Sequence, residues 1–456
     1  MVYQPPAGAR DLFPPDVAQR QWIEDRLQRV FHQWGYHRII TSTLERLDTL
    51  VAGGAVQPSS VIQLHDANNE VLGLRPELTA SIARAAVTRL SGVNHAQRFC
   101  YSANVFRRLN RNSHDRQQEF FQAGVELLGI GGAMADAEVL LLLADCLNTL
   151  KLHDWHLVIG EAELTRSLFE VFPPEWRNRI RVAIAQLDRV TLENLPLAPE
   201  LRDRALWLLD LRGTPADVLQ RVSEIELDPR QQDIVKSLKS LMELLELTAQ
   251  AHNLPMISSL VLDLSLIQTF NYYTGIVFNV VHATDRQQYV LGQGGRYDQL
   301  LGLYHPQGEA CPGVGFVLNI ETLQKILAPT GQMPIDSPSP HCLVVPKDAN
   351  AATAAFAIAH QLRTPGKLRS PEQRQGAIES FSLDDEFEQQ GLSIEINLDI
   401  QMGVDAVRQM AQGRCIPKII WVDADGRSTL EVLQDETRQD EALQDEARQD
   451  NVMTSL

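Results

Sequence analysis

Residues 120–129 read "FFQAGVELLG". In an extended chain successive side chains point to opposite faces, so Gln122, Gly124 and Glu126 share one face while Phe121, Ala123 and Val125 share the other. The alternation predicts a strand with one apolar and one polar face. A solvated sheet surface would give the same pattern. A glutamine and a glutamate two strand positions apart, beside a glycine that leaves room, also suit an amine or the edge of an imidazole.

Upstream, "FCYSANVFRRL" (99–109) reads as a partner strand, separated from the first by the polar loop "NRNSHDRQQ". Downstream, residues 133–151 form an apolar helix. Residues 16–35 place Ile23, Leu27, Val30, Phe31 and Trp34 at helical spacing, and "YHRIITSTLE" (36–45) reads as a strand. "VIQLHDANNEVLGLRPE" (61–77) is a hairpin pattern with its turn at Asp66–Asn69, and "TASIARAAVTRL" (79–90) is helical, with Thr79 suited to cap it. From about 165 to 255 the pattern is wholly helical with proline breaks, as in an insertion. Strand patterns return in "SLVLDLSLIQ", "TGIVFNVVHA" and "QQYVLGQGG".

The domain plan expected is a core over 1–327, a Pro/Ser-rich linker over 328–341, a small α/β unit over 342–426 and an acidic low-complexity tail over 427–456. The strands do not alternate one for one with helices, so the fold class expected is α+β. The tail repeats a ten-residue acidic unit, compatible with a solvated charged helix or a disordered extension.

Hydrophobic content of 44% with 22% charged residues describes a soluble globular chain. Forty-one basic against 58 acidic residues give a net charge of −17, which argues against a nucleic-acid partner. The start lacks a secretory pattern, and the most apolar run is broken by Asp145, so a cytoplasmic protein without a membrane span is expected. Five scattered cysteines without a CxxC pair fit buried thiols rather than disulfides or zinc. "LGIGGAMADAE" (128–138) has Met134 where a dinucleotide fingerprint needs its third glycine, so it is read as a strand-to-helix turn. "HDWH" (153–156) has no third ligand nearby, and neither metal nor cofactor is expected.

Several pieces suit one site. Arg75-Pro76-Glu77 ends a strand, where a carboxylate could take an ammonium group or simply favour the helix start. "LGQGGRYDQLLG" (291–302) supplies glycines for close approach and Arg296, Tyr297 and Asp298 at the opening of a helix; "GVGFVLNIETL" (313–323) is a further glycine-punctuated strand entering a helix. "SLIQTFNYYTGIVF" (265–278) carries Tyr272 and Tyr273 and not one charge. Together these describe an antiparallel sheet whose open face carries Glu77, Arg107, Gln122, Glu126, Tyr273 and Tyr297.

Over residues 8–323 that ordered set resembles the core of histidyl-tRNA synthetase, a class II aminoacyl-tRNA synthetase: "GYHRIITSTLE", "LRPELTA", "FRRLNRNSHDRQQEFFQAGVELLG", "NYYTGIVF", "GQGGRYDQL" and "GVGFVLNIETL" stand in the family's order. The resemblance implies a six-stranded antiparallel sheet with flanking helices, usually dimeric, and a histidine pocket at Glu77, Thr79, Arg107, Gln122, Glu126, Tyr272, Tyr273 and Tyr297. It also exposes departures. Gln268 and Thr322 stand where the family has arginines, Leu109 replaces a glutamate, and Gln118 falls at a second motif 2 arginine. Ser42 replaces a proline and Leu78 a glycine. Adenylation builds negative charge that cationic groups stabilise, and losing one such donor costs on the order of 10²–10³ in rate. No catalytic residue is therefore assigned.

A synthetase-like chain altered in this way resembles the regulatory subunits of ATP phosphoribosyltransferase, the first enzyme of histidine biosynthesis. That implies a short-form catalytic chain as partner, self-association as a dimer within a hetero-oligomer, and histidine as effector of feedback inhibition. A divergent active synthetase, or a non-enzymatic RNA-binding or amino-acid-sensing paralogue, are the alternatives.

Overall fold

The computed structural model describes residues 5–54, 56–89, 95–108, 117–251, 260–266, 272–284, 287–335, 339–364 and 392–433. The chain divides into two units, Met1–Ile335 and Asp336–Leu456.

The larger unit opens with α1 (Pro14–Gln33), started by a proline in its first turn and burying the Ile23, Leu27, Val30 and Phe31 face. Next come the short strands β1 (His37–Arg38) and β2 (Leu44–Arg46), α2 (Leu47–Val51), the hairpin β3 (Gln63–His65) and β4 (Val71–Leu74), and α3 (Thr79–Arg89). Then follow β5 (Gln97–Phe106), β6 (Glu119–Leu128), α4 (Ala133–Thr149) and β7 (Trp155–Glu161). Six helices make the insertion, interrupted by one short strand: α5 (Ala162–Phe169), α6 (Pro174–Ala185), α7 (Arg189–Asn194), α8 (Pro199–Leu209), β8 (Arg212–Gly213), α9 (Pro215–Ser223) and α10 (Pro229–Ala251). The unit closes with β9 (Leu260–Asp263), β10 (Ile276–Ala283), β11 (Gln288–Arg296), β12 (Gly313–Asn319) and α11 (Ile320–Leu327).

Nine strands form the main sheet in the order β1-β5-β6-β12-β11-β10-β7-β9-β8. The sheet is mixed rather than six-stranded and antiparallel: β1 runs parallel to β5, and β7 parallel to β9. The strand that decides the fold, β6, pairs antiparallel on both sides, with β5 and β12. Its two faces divide as the alternation requires. Phe121, Ala123, Val125 and Leu127 enter the main core beneath α1, α4 and α11, while Leu128 joins a second cluster with Tyr101, Tyr273 and Tyr297 on the other face. Gln122 and Glu126 are 6% and 1% exposed, so the polar face is buried and not a solvated surface.

Four local expectations are corrected. Residues 36–45 do not form one strand, because the Arg75 guanidinium takes the carbonyls of Thr41 (2.8 Å) and Ser42 (3.3 Å) that a ladder would use. The insertion is not wholly helical, since Arg212 and Gly213 of β8 pair with Asp263 and Leu262 of β9. Asp298 opens no α-helix: its N–H donates to the Thr274 hydroxyl at 2.8 Å, and only a short 3₁₀ turn follows at Leu301–Leu303. Thr79 does not cap α3, for the reason given below.

In the smaller unit β13 (Cys342–Pro346), α12 (Ala352–Arg363), β14 (Ile394–Ile396), α13 (Val404–Gly413), β15 (Lys418–Val422) and β16 (Ser428–Val432) build a four-stranded sheet, ordered β14-β13-β15-β16. The first three strands are parallel and β16 is antiparallel to β15. Helix α12 covers one face through Ala355, Ile358, Ala359 and Leu362, and α13 the other through Val407 and Ala411. The sheet runs past residue 426, the boundary expected from the sequence, because Ser428–Val432 pairs back on β15. The repeated acidic segment beyond residue 433 lies outside the described residues. All five cysteines are free thiols; Cys415 is exposed, not buried. Among the described residues no helix is long and apolar enough to cross a membrane, and no group of three acidic, histidine or cysteine side chains could hold a metal.

Candidate functional site

The junction from β4 to α3 builds one wall. The Glu77 carboxylate accepts from the backbone N–H groups of Thr79 (2.6 Å) and Ala80 (3.0 Å), which otherwise lack intrahelical partners. That is why Thr79 is not the cap. Its hydroxyl is released to donate to Glu126 Oε1 at 2.7 Å. Removal from bulk water pushes the Glu77 carboxyl above its ordinary range, against the opposing pull of those N–H donors and of Arg107.

Glu126 stands on the floor, in the middle of the sheet. Its second oxygen accepts from the Tyr297 hydroxyl. Burial raises its carboxyl to about 8, while the hydrogen bonds from Tyr297 and Thr79 pull the other way. Near neutrality the group is therefore largely the neutral acid. Backbone makes room for it: a Cβ on Gly315 would lie 2.0 Å from Glu126 Oε2 and 2.4 Å from the Val125 carbonyl. Gly315→Ala is accordingly expected to cost about 1–3 kcal/mol, read as a lower denaturant midpoint. An unchanged midpoint would show that the floor gives way freely.

Aromatic rings close the cleft. The Tyr272 and Tyr273 rings lie 4.7 Å apart between centroids, and Tyr272 meets Tyr297 edge-on at 5.8 Å. Arg107 donates from Nε to the Pro76 carbonyl at 3.1 Å and stands 5.6 Å over the Phe120 ring. Burial lowers its pKa, with Glu77 opposing that shift. Gln122, on β6, completes the floor. All eight residues expected of the pocket, Glu77, Thr79, Arg107, Gln122, Glu126, Tyr272, Tyr273 and Tyr297, line this one cleft of about 430 Å³, its open mouth included. Leu78, where the resemblance places a glycine, lines it too.

Sequence reasoning missed two polar lining residues, Tyr101 and Gln293, and the flanking Gly294, Gly315, Phe316 and Val317. The signal for Tyr101 lies in the register: it sits opposite Gly124, whose missing side chain leaves the space that the Tyr101 ring fills. No comparable signal marks Gln293. Of the departures, Thr322 is described: its N–H donates to Asn319 Oδ1 at 2.9 Å in the first turn of α11. Gln268 and Leu109 lie outside the described residues.

Chemically, the cleft offers carboxyl groups for an ammonium, an arginine for a carboxylate, and a Glu126–Gln122 pair beside stacked rings for a flat polar heterocycle. A small zwitterion with such a ring satisfies all three. The segment 272–276 also faces elsewhere. Tyr272 and Tyr273 line this cleft, whereas Thr274, Gly275 and Ile276 line a second one of about 1130 Å³, open mouth included, against α10 and the start of α4. At its base Arg296 donates from Nη2 to Asp136 (2.6 Å) and from Nη1 to Asp298 (2.9 Å).

The family model described as histidyl-tRNA synthetase matches residues 8–323. A protein of Nostoc sp. PCC 7120 named ATP phosphoribosyltransferase regulatory subunit is 56% identical over 432 residues, covering 94% of this chain and 99% of its own. One of the same name from Nostoc punctiforme is 53% identical, covering 95% and 100%. Among solved structures, an ATP phosphoribosyltransferase regulatory subunit/histidyl-tRNA synthetase from Bacillus halodurans superposes with a TM-score of 0.73 at 24% identity, covering 93% of this chain and 99% of that one. The histidyl-tRNA synthetase of Nostoc sp. PCC 7120 gives 0.70 at 18%, covering 94% and 97%. At such identities the two structures speak to the fold alone.

Proposed function

The chain belongs to the family of ATP phosphoribosyltransferase regulatory subunits, built on the histidyl-tRNA synthetase fold, and from that premise we propose that it is a non-catalytic cytoplasmic subunit that reports histidine to a short-form catalytic chain. It works as a dimer within a hetero-oligomer and is required for the catalytic chain's activity. The observation that carries this reading is a contrast between the cleft and the sequence. Every recognition group expected for histidine lines it, while Gln268 and Thr322 replace the arginines that adenylation would use.

Histidine fits the cleft group by group. Its ammonium has Glu77, its carboxylate has Arg107, and its ring meets Gln122, Glu126 and the tyrosines. Bound there, histidine biases the assembly only through a difference in affinity between active and inhibited forms. The acidic balance of −17 supports a chain that has given up tRNA.

The test is reconstitution. The purified chain is expected to co-purify with the short catalytic chain, to switch on its phosphoribosyl transfer, and to confer inhibition by histidine. Alone it should neither exchange pyrophosphate with ATP nor charge tRNA. Failure to associate with the catalytic chain, or measurable pyrophosphate exchange, overturns the reading.

A further inference from the structure

The second cleft has no part in the histidine reading, and its charges do not balance. Asp136 is held by Arg296, whose other arm is held by Asp298. Glu163 pairs with Arg230 at the mouth, and Asp233 pairs with Lys236 on the exposed side of α10. Glu161, the last residue of β7, is 4% exposed and lines the same cleft. Its Oε2 accepts from the Leu164 N–H as the cap of α5. Its Oε1 has no hydrogen-bond partner among the described residues. The nearby Arg166 makes no hydrogen bond to it, its Nη2 donating to the Tyr273 carbonyl at 2.9 Å, and acts on Glu161 through charge alone.

We propose that this cleft binds a small organic amine, with Glu161 Oε1 receiving the ammonium group and the α10 face holding the alkyl body. Ile234, Leu238 and Leu241 of α10, at helical spacing, face Ile276 across the cleft. That apolar wall suits a short alkyl chain. An anion would meet four carboxyl groups against two guanidinium groups along the lining. A divalent metal would lack ligands, because no group of three suitable side chains exists among the described residues. A single positive head on an apolar stem satisfies both surfaces. Burial raises the Glu161 carboxyl to about 7, against the pull of the Leu164 N–H and of Arg166 and Arg230, with Asp136 adding to the rise. An ammonium group, which stays charged up to about pH 10, favours the ionised form.

The experiment is calorimetry on the full chain with n-butylammonium chloride, and with n-butanol as the uncharged probe. Butylammonium is expected to bind at pH 8, to bind more weakly at pH 6 as Glu161 takes up a proton, and to outcompete butanol by about tenfold or more. The charged groups around Glu161 are Asp136, Glu163, Asp233, Arg166, Arg230 and Arg296, and burial also raises the Asp136 carboxyl, so loss of the pH dependence in Glu161→Gln is what assigns it to Glu161. Glu161→Gln keeps an oxygen for the Leu164 N–H and is expected to lose at least about tenfold in butylammonium affinity. Ser237→Phe, which adds a ring to the cleft wall from α10 and leaves Glu161 in place, should abolish binding. Absence of binding to the unaltered chain overturns the proposal, as does equal binding by either variant. Histidine binding should be unmoved by Glu161→Gln and lost in Glu126→Ala, so the two readings fail separately.

Discussion

Arg296→Ala is expected to lower the unfolding free energy of the larger unit by about 3–5 kcal/mol. The guanidinium and the Asp136 carboxylate are 7% and 10% exposed, joined by contacts of 2.9 and 2.6 Å from Nε and Nη2 to one oxygen. Alanine leaves that largely buried carboxylate without its partner at the base of the second cleft. Removing one member of a buried pair costs far more than the pair contributes, because the remaining charge keeps its desolvation penalty. Arg296 also packs beneath Gly275, where a Cβ would stand 2.8 Å from Arg296 Cδ, so the truncation opens a void under the 272–276 segment. Urea denaturation followed by tryptophan fluorescence measures the loss. Adding Asp136→Ala should restore part of it, since both charges then leave together. A single-variant change below about 1 kcal/mol would mean that water reaches the pair.

Histidine affinity should fall about a hundredfold or more in Glu126→Ala, equivalent to about 2.7 kcal/mol by calorimetry. The side chain is 1% exposed and holds the hydroxyls of Thr79 and Tyr297 at once, so truncation removes the group proposed to meet the ring and leaves two donors without their acceptor. Unchanged binding would place histidine elsewhere. The same residue gives a pH signature. Its folded carboxyl, at about 8, lies above the unfolded value near 4.5. The native state therefore holds a proton that the unfolded chain has released, and the stability this provides is full below about pH 4.5 and lost as the pH rises to 8. Glu126→Gln, which cannot ionise, should flatten that interval, against a slope in the parent of up to about 1.4 kcal/mol per pH unit. Parallel profiles for parent and variant would show that the carboxyl titrates near its ordinary value.

How much of this could be read from the chain depends on the range of the interaction responsible. The two faces of residues 120–129 were legible because a period of two is local. The eight residues that line the first cleft were legible because they lie in short ordered motifs. What could not be read is what partners decide. Arg75 breaks the strand expected over 36–45 by reaching carbonyls more than thirty positions away in sequence. Glu77 displaces Thr79 as the helix cap because its carboxylate reaches the two N–H groups first. The parallel pairings of β1 with β5 and β7 with β9 are set by the packing of the whole layer, and no residue in those strands announces them. Tyr101 became visible only through its register with Gly124.

One short segment serves two rooms. Tyr272 and Tyr273 face the first cleft, and their covalent neighbours Thr274, Gly275 and Ile276 face the second. The Thr274 N–H donates to the Arg296 carbonyl at 2.8 Å, and the Gly275 carbonyl accepts from the Ala162 N–H at 2.9 Å, so the turn is pinned between β11 and the start of α5. A displacement imposed on this turn from one side would reach the other through the peptide chain itself. Two occupants that each shift this turn must alter one another's affinity by the same factor, whichever arrives first.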